Sequence, residues 1–130
     1  MVIKLREIPE SVFPAFKCGE KEFRANMFTD GTNRMFKGRL IPGASIGEHI
    51  HDDSCEIIFI LSGKGHVLEL ENQEFSYTEV HPGDCIFCGK GKSHSLKNTS
   101  EDEDLIFYAA CRHDNILIST LHREDLLLDS

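Results

Sequence analysis

Turn-forming residues break this chain into short runs of strand length, and this punctuation constrains its fold more than any other feature. Phe23 to Phe28 reads as a strand. Thr29-Asp30-Gly31-Thr32-Asn33 reads as a turn, and Arg34 to Ile41 as the returning strand of a hairpin. Pro42-Gly43, Gly63-Lys64-Gly65, Pro82-Gly83-Asp84 and Gly89-Lys90-Gly91 mark further reversals. Between them lie strand-like runs from Glu56 to Leu61, His66 to Leu70, Phe75 to Val80, a run ending at Cys88, one carrying His94, and Leu105 to Cys111. Short strands at regular spacing with glycine or proline between them specify a sandwich or barrel. The expected fold is all-β, with one domain over 1–130 and a barrel core from about 23 to 111. An N-terminal arm and a C-terminal tail pack on that core. Ile116 to Ile118 reads as an extension of the sheet, and His122 to Leu128 as a short C-terminal helix.

Two runs, Ile57 to Leu61 and Leu105 to Cys111, are apolar on both faces. A strand with one wet face alternates apolar with polar residues. One face of each run therefore lines the interior, and the other needs a cover. Two-fold self-association is the commonest assembly, so a homodimer is expected.

Within this frame two stretches carry chemistry. Gly43 to Gly63 contains His49, His51 and Glu56; Gly83 to Asn98 contains His94. Residues two apart on a strand share a face, so His49 and His51 stand side by side, roughly 6.6 Å apart. The Asp52-Asp53-Ser54 turn returns the chain so that Glu56 adds an oxygen from the next strand. His94 arrives from a distant strand, which a closed barrel permits. Three neutral nitrogens and one carboxylate suit one divalent transition metal (manganese, iron, nickel, cobalt, copper or zinc) and disfavour calcium or magnesium. An octahedral ion held by four such donors keeps two positions for water or a bidentate ligand. A tetrahedral zinc held by all four would be structural only.

Other residues are candidates for the pocket wall. Alternation from Glu56 places Ile58 and Ile60 on the ligand side, and alternation from His94 places Leu96 there. His66 shares phase with Leu68 and Leu70 and is expected to face inward. Arg39 is a candidate partner for an anionic substrate. Cys85 and Cys88 form a CxxC, but residues three apart on a strand point to opposite faces, so this spacing is read as chance.

The formal net charge of −8 argues against a nucleic-acid binder. No apolar run is long enough to span a bilayer. The N-terminal segment Met1-Val-Ile-Lys-Leu-Arg-Glu lacks the pattern of a signal peptide. Five cysteines without an export signal fit reduced thiols, and a cytoplasmic location is expected. There is no nucleophile elbow, phosphate-binding loop or dinucleotide fingerprint, so any chemistry would fall to the ion.

The two stretches resemble the paired motifs of the cupin superfamily. Gly43, His49, His51, Glu56 and Gly63 match the first, G-x5-H-x-H-x4-E-x6-G. Gly83, Gly91, His94 and Asn98 match the second, G-x5-P-x-G-x2-H-x3-N, with Gly89 where that family usually has proline. The resemblance covers roughly Phe36 to Cys111. It implies a double-stranded β-helix, or jelly-roll barrel, with His49, His51, Glu56 and His94 as metal ligands. It fixes no reaction, because one fold hosts many activities. The expected function is a metal-dependent enzyme of dioxygenase, isomerase or lyase type acting on a small oxygenated metabolite. The alternative is a non-catalytic cupin that binds or senses a sugar or organic acid.

Overall fold

The computed structural model describes residues 1–50 and 54–113. The expected extension of the sheet at Ile116 to Ile118 and the expected helix at His122 to Leu128 lie outside the described residues. Among the described residues ten strands are formed: β1 (Ser11–Pro14), β2 (Glu22–Thr29), β3 (Asn33–Leu40), β4 (Ser45–Ile50), β5 (Ser54–Ser62), β6 (Gly65–Glu71), β7 (Glu74–Val80), β8 (Cys85–Cys88), β9 (Ser93–Asn98) and β10 (Leu105–His113). Two 3₁₀ segments, Leu5–Glu7 and Phe16–Cys18, flank β1. Among the described residues no helix is long and apolar enough to cross a membrane.

The strands form two antiparallel sheets. One has six strands in the order β1-β2-β3-β10-β5-β8, and the other has four in the order β4-β9-β6-β7. This is the double-stranded β-helix expected from the sequence. Three reversals share one device. The amide of Ala44 donates to the Ile41 carbonyl, that of Asp84 to His81, and that of Lys92 to Gly89. In each, the third residue is a glycine with positive φ (Gly43, Gly83 and Gly91), a position that type II turns reserve for glycine.

The core is aromatic where the six-stranded sheet curves inward. Phe23 and Phe107 stack with centroids 6.2 Å apart, and Phe36 meets Phe107 edge-on at the same distance. Phe13 and Phe16, from the N-terminal arm, extend this cluster. Gly38 allows the packing, since a Cβ there would run into the Phe107 ring. Each fully buried phenylalanine or leucine contributes about 1.5–3 kcal/mol of transfer free energy.

Buried Asn98 joins the sheets at one end. Its side-chain amide donates to the carbonyls of Leu40 and Glu103, each at 2.8 Å, and its Oδ1 accepts from the Ser100 amide. The asparagine of the second motif is thus a structural staple, meeting backbone groups that would otherwise be buried without partners.

Candidate metal centre

The site forms where the sheets face each other. On β5, Ser54, Glu56, Ile58 and Ile60 are buried, while Ile57, Phe59 and Leu61 face outward. The inner face of this strand therefore carries a carboxylate at one end of an apolar row. On the opposing sheet, His49 of β4 and His94 of β9 are direct register partners. Their rings lie edge to face, with centroids 4.8 Å apart. His94 Nε2 is 3.2 Å from Glu56 Oε1. One ligand atom from each of His49, Glu56 and His94 lies within 4.8 Å of the others.

The local chain explains how His49 is aimed. The β4–β9 register shifts between Ile46 and His49, the signature of a bulge, which re-aims the following side chain. The Nδ1–H of His49 donates to the Gly47 carbonyl at 2.8 Å. That bond fixes the tautomer and leaves the Nε2 lone pair for an ion, as metal-binding histidines commonly do. Gly47 has no room for a side chain, because a Cβ would strike the backbone of Lys17 and Gly19. The bulge is thereby packed against the segment that carries Phe16.

The donor set fits a transition metal. Two donors bound to one ion at about 2.1 Å stand about 3 Å apart when adjacent and about 4.2 Å when opposite, so donor atoms that now lie within 4.8 Å of one another close by about 1 Å on taking up the ion. Glu56 and His94 are 7% and 3% exposed. A carboxylate buried to this degree is costly unless it is paired, and a divalent cation between it and the imidazoles would supply strong compensation. His51, the fourth expected donor, lies outside the described residues.

His94 lines a separate cavity of about 180 Å³ with Glu69, Glu71, Phe87, Cys88 and Lys92; a cavity of about 30 Å³ opens beside His49 and Glu56, room for about two water molecules. His49, Glu56 and Ile58 line it, together with Phe16, Phe23, Phe36, Met27, Ile46, Phe107 and Arg34. Ile58, which alternation from Glu56 puts on the same face, is among the lining residues. Ile60 and Leu96 are buried at 2% but lie deeper in the core and do not form the cavity wall.

Two expectations are corrected. Arg39 is not at the cavity. Phe36, Gly38 and Leu40 set the inner phase of β3, so Arg39 faces outward, where its guanidinium binds Glu10 at 2.7 Å and Asp104 at 3.2 Å. Those carboxylates raise the already high pKa of Arg39, the Glu10 hydrogen bond most of all. His66 is not at the cavity either. Val67 is the buried residue of that part of β6, and His66 instead meets the exposed Tyr77 ring at 5.2 Å on the outer face.

Sequence reasoning missed Arg34, which shares the phase of Phe36 and Leu40. It also missed Phe16, because nothing in the arm's sequence signals its long-range contact. Cys88 and Cys111 are the cross-strand neighbours of Glu56 on either side, and both are buried. Burial, followed by the nearby Glu56 charge, pushes the Cys88 thiol up to about 12, so it stays neutral beside the donors. Cys85 is exposed, on the opposite face from Cys88.

A family model described as the Cupin domain matches residues 36–111, more than half of the chain. Among curated proteins, an oxalate-binding protein of Thermotoga maritima is 37% identical over 77 residues, 58% of this chain and 60% of that relative. The match therefore spans less than two thirds of that relative's length. Among solved structures, a predicted oxalate decarboxylase of Thermotoga maritima aligns with a TM-score of 0.76 at 28% identity, covering 87% of this chain and 99% of that one. An uncharacterized conserved protein with a double-stranded β-helix domain from Klebsiella pneumoniae aligns with a TM-score of 0.64 at 16% identity, covering 88% and 85%. This second likeness is one of fold alone.

Proposed function

The chain belongs to the cupin family, and we propose that it binds one divalent transition metal through His49, His51, Glu56 and His94 and captures a small carboxylate of the oxalate class on that ion. The convergence of His49, Glu56 and His94, the first two lining a cavity of about 30 Å³, carries this reading. The ion would supply Lewis acidity, polarising the oxygens of a bound acid. The protein's own part is to hold the donors on rigid strands, to fix the His49 tautomer and to exclude bulk water with a wall of phenylalanines. Two relatives support the ligand class: one is named for binding oxalate, the other as a predicted oxalate decarboxylase.

A second reading is a metal-dependent enzyme, of lyase, isomerase or dioxygenase type, acting on the same ligand. The cavity on the His94 side carries Glu69, a carboxylate that would serve such turnover as general acid or base.

The test starts with elemental analysis of untagged protein, then thermal unfolding with metal and with oxalate. A ligand present at a thousand times its Kd stabilises the folded state by about 4 kcal/mol. The expected result is a metal-dependent rise in Tm, a further rise with oxalate, and oxalate recovered unchanged. His94→Ala should lose both rises. Formate or carbon dioxide released from oxalate would establish the enzymatic reading instead. No metal uptake by folded protein would refute both.

The reading includes a cytoplasmic homodimer. Its support is the outer face of the six-stranded sheet, where Phe59, Leu61, Phe87 and Tyr108 are 53%, 43%, 65% and 42% exposed. Light scattering should return about twice the chain mass of 14.7 kDa. A monomeric mass at micromolar concentration would overturn the dimer.

A further inference from the structure

We infer that Arg34 is a specificity-determining residue, selecting short ligands that carry two carboxylates by meeting the end of the ligand remote from the metal donors. This inference rests on the reading of the site as one for small carboxylates. It adds a residue and a rule of discrimination that the metal ligands alone do not supply.

The sheet register gives the geometry. Arg34 on β3 is the partner of Cys111 on β10, and Cys111 is the partner of Glu56 on β5. Arg34 and Glu56 thus stand in one cross-strand row, two strand spacings apart, with backbones about 10 Å from each other. Both side chains line the same cavity. Glu56 stands at one end of this row and Arg34 at the other, so a ligand held at His49 and Glu56 lies toward Arg34. A two-carbon diacid could bind the ion and present its outer oxygens to Arg34. A four-carbon diacid closes a seven-membered rather than a five-membered chelate ring, which holds it less firmly on the ion and in front of Arg34.

The rest of the wall sharpens the discrimination. Phe16, Phe23, Phe36, Met27, Ile46, Ile58 and Phe107 offer no hydrogen-bond donor to a carboxylate. Among the described residues, the cavity wall contains a single Lys or Arg side chain, that of Arg34. An ionic hydrogen bond gains strength in such an apolar setting, and a guanidinium matches a carboxylate with two parallel bonds. Its five N–H groups allow contacts with protein acceptors and with a ligand together. The chain as a whole carries a net charge of −8, which disfavours dianions in general, so a local cation is the feature that would reverse this preference inside the cavity.

Calorimetry on manganese-loaded protein tests the inference with oxalate, oxamate and succinate. Oxamate keeps the chelating geometry but replaces one carboxylate with an uncharged amide. Wild type should bind oxalate most tightly, oxamate about 10- to 100-fold more weakly, and succinate least. In Arg34→Gln the oxalate-to-oxamate ratio should fall about 10-fold, toward the preference that the ion alone has for the dianion, with unchanged metal content. Arg34→Lys should keep part of the preference, since it retains the charge but not the fork. An unchanged ratio in metal-loaded Arg34→Gln would overturn the role of Arg34 and leave the proposed function standing. Loss of metal from both Arg34 variants would also overturn it, by making the residue structural. Failure of metal-loaded wild type to bind oxalate at all would refute the carboxylate reading itself, and this inference with it.

Discussion

The two sheets divide the work of this molecule unequally. The six-stranded sheet supplies most of the buried apolar surface, with Phe23, Ala25, Phe36, Leu40, Ile58, Ile60, Leu105, Phe107 and Ala109 on its inner face. The four-stranded sheet adds Ile46, Val67, Val80 and Leu96, and places His49 and His94 side by side in register. Glu56 is the exception that joins them, a carboxylate on the packing sheet that meets the imidazoles of the other. Stability and coordination are thus largely separable. The histidine pair depends on the pairing of β4 with β9, and the completed donor set depends on how the sheets are spaced. That spacing is set by the aromatic cluster.

The largest effect should come from breaking the packing sheet. Phe107 is fully buried and touches both Phe23 and Phe36. Phe107→Ala should destabilise the fold by about 3–5 kcal/mol, measured by urea unfolding. Protein that stays folded should keep the His49–His94 pair and still bind metal, but more weakly, because the sheet bearing Glu56 is free to shift. Equal metal affinity in folded Phe107→Ala would show that spacing does not matter to the site. Total loss of metal from folded protein would show that packing and coordination are one unit.

The same division explains what was legible in the sequence. Strand positions were readable because turn chemistry is local. Pro42-Gly43 and Pro82-Gly83 announce type II reversals, and the strand read as Arg34 to Ile41 forms as Asn33–Leu40. The candidate donors His49, Glu56 and His94 stand out in the sequence because a histidine or glutamate on an otherwise apolar inner face is conspicuous, and the structure brings these three together. Phase was harder. Gly38 looks like an interruption of β3, yet it shares the inner face with Phe36 and Leu40 and is covered by the Phe107 ring. Arg39 lies on the strand just before the first motif, but counting back from Phe36 in steps of two reaches Arg34. On β6, Leu68 and Leu70 suggested an inner face and pulled His66 with them, although both are only half-buried and Val67 is the core residue. Alternation fails where both faces of a strand are partly apolar. The arm was opaque for a different reason: β1 has four residues and gains its structure from pairing with β2, a long-range contact with little local signature.

The smallest effect lies at that arm, and it tests whether the packing sheet extends to the cavity through Phe16. Glu10 binds Arg39 at 2.7 Å and lies 3.7 Å from Arg24. The hydrogen bond from Arg39, and then the charges of Arg39 and Arg24, hold the Glu10 carboxyl below its usual value of 4.5 despite some desolvation. A carboxylate with a lowered folded pKa adds stability that is present above its unfolded pKa and is lost as pH falls through the folded one. Arm docking should therefore be unchanged from neutral pH down to about 5 and weaken below about 4. Exchange of the β1 amides, followed by mass spectrometry, would report it after correction for intrinsic rates. The pair is partly exposed, so the change should be modest, about 1 kcal/mol or less. Glu10→Gln should flatten the acid dependence and leave the amides of β5 and β10 untouched. If protection in β5 falls together with that in β1, the arm belongs to the core unit, and the six-stranded sheet acts as one cooperative body from the edge strand to Glu56.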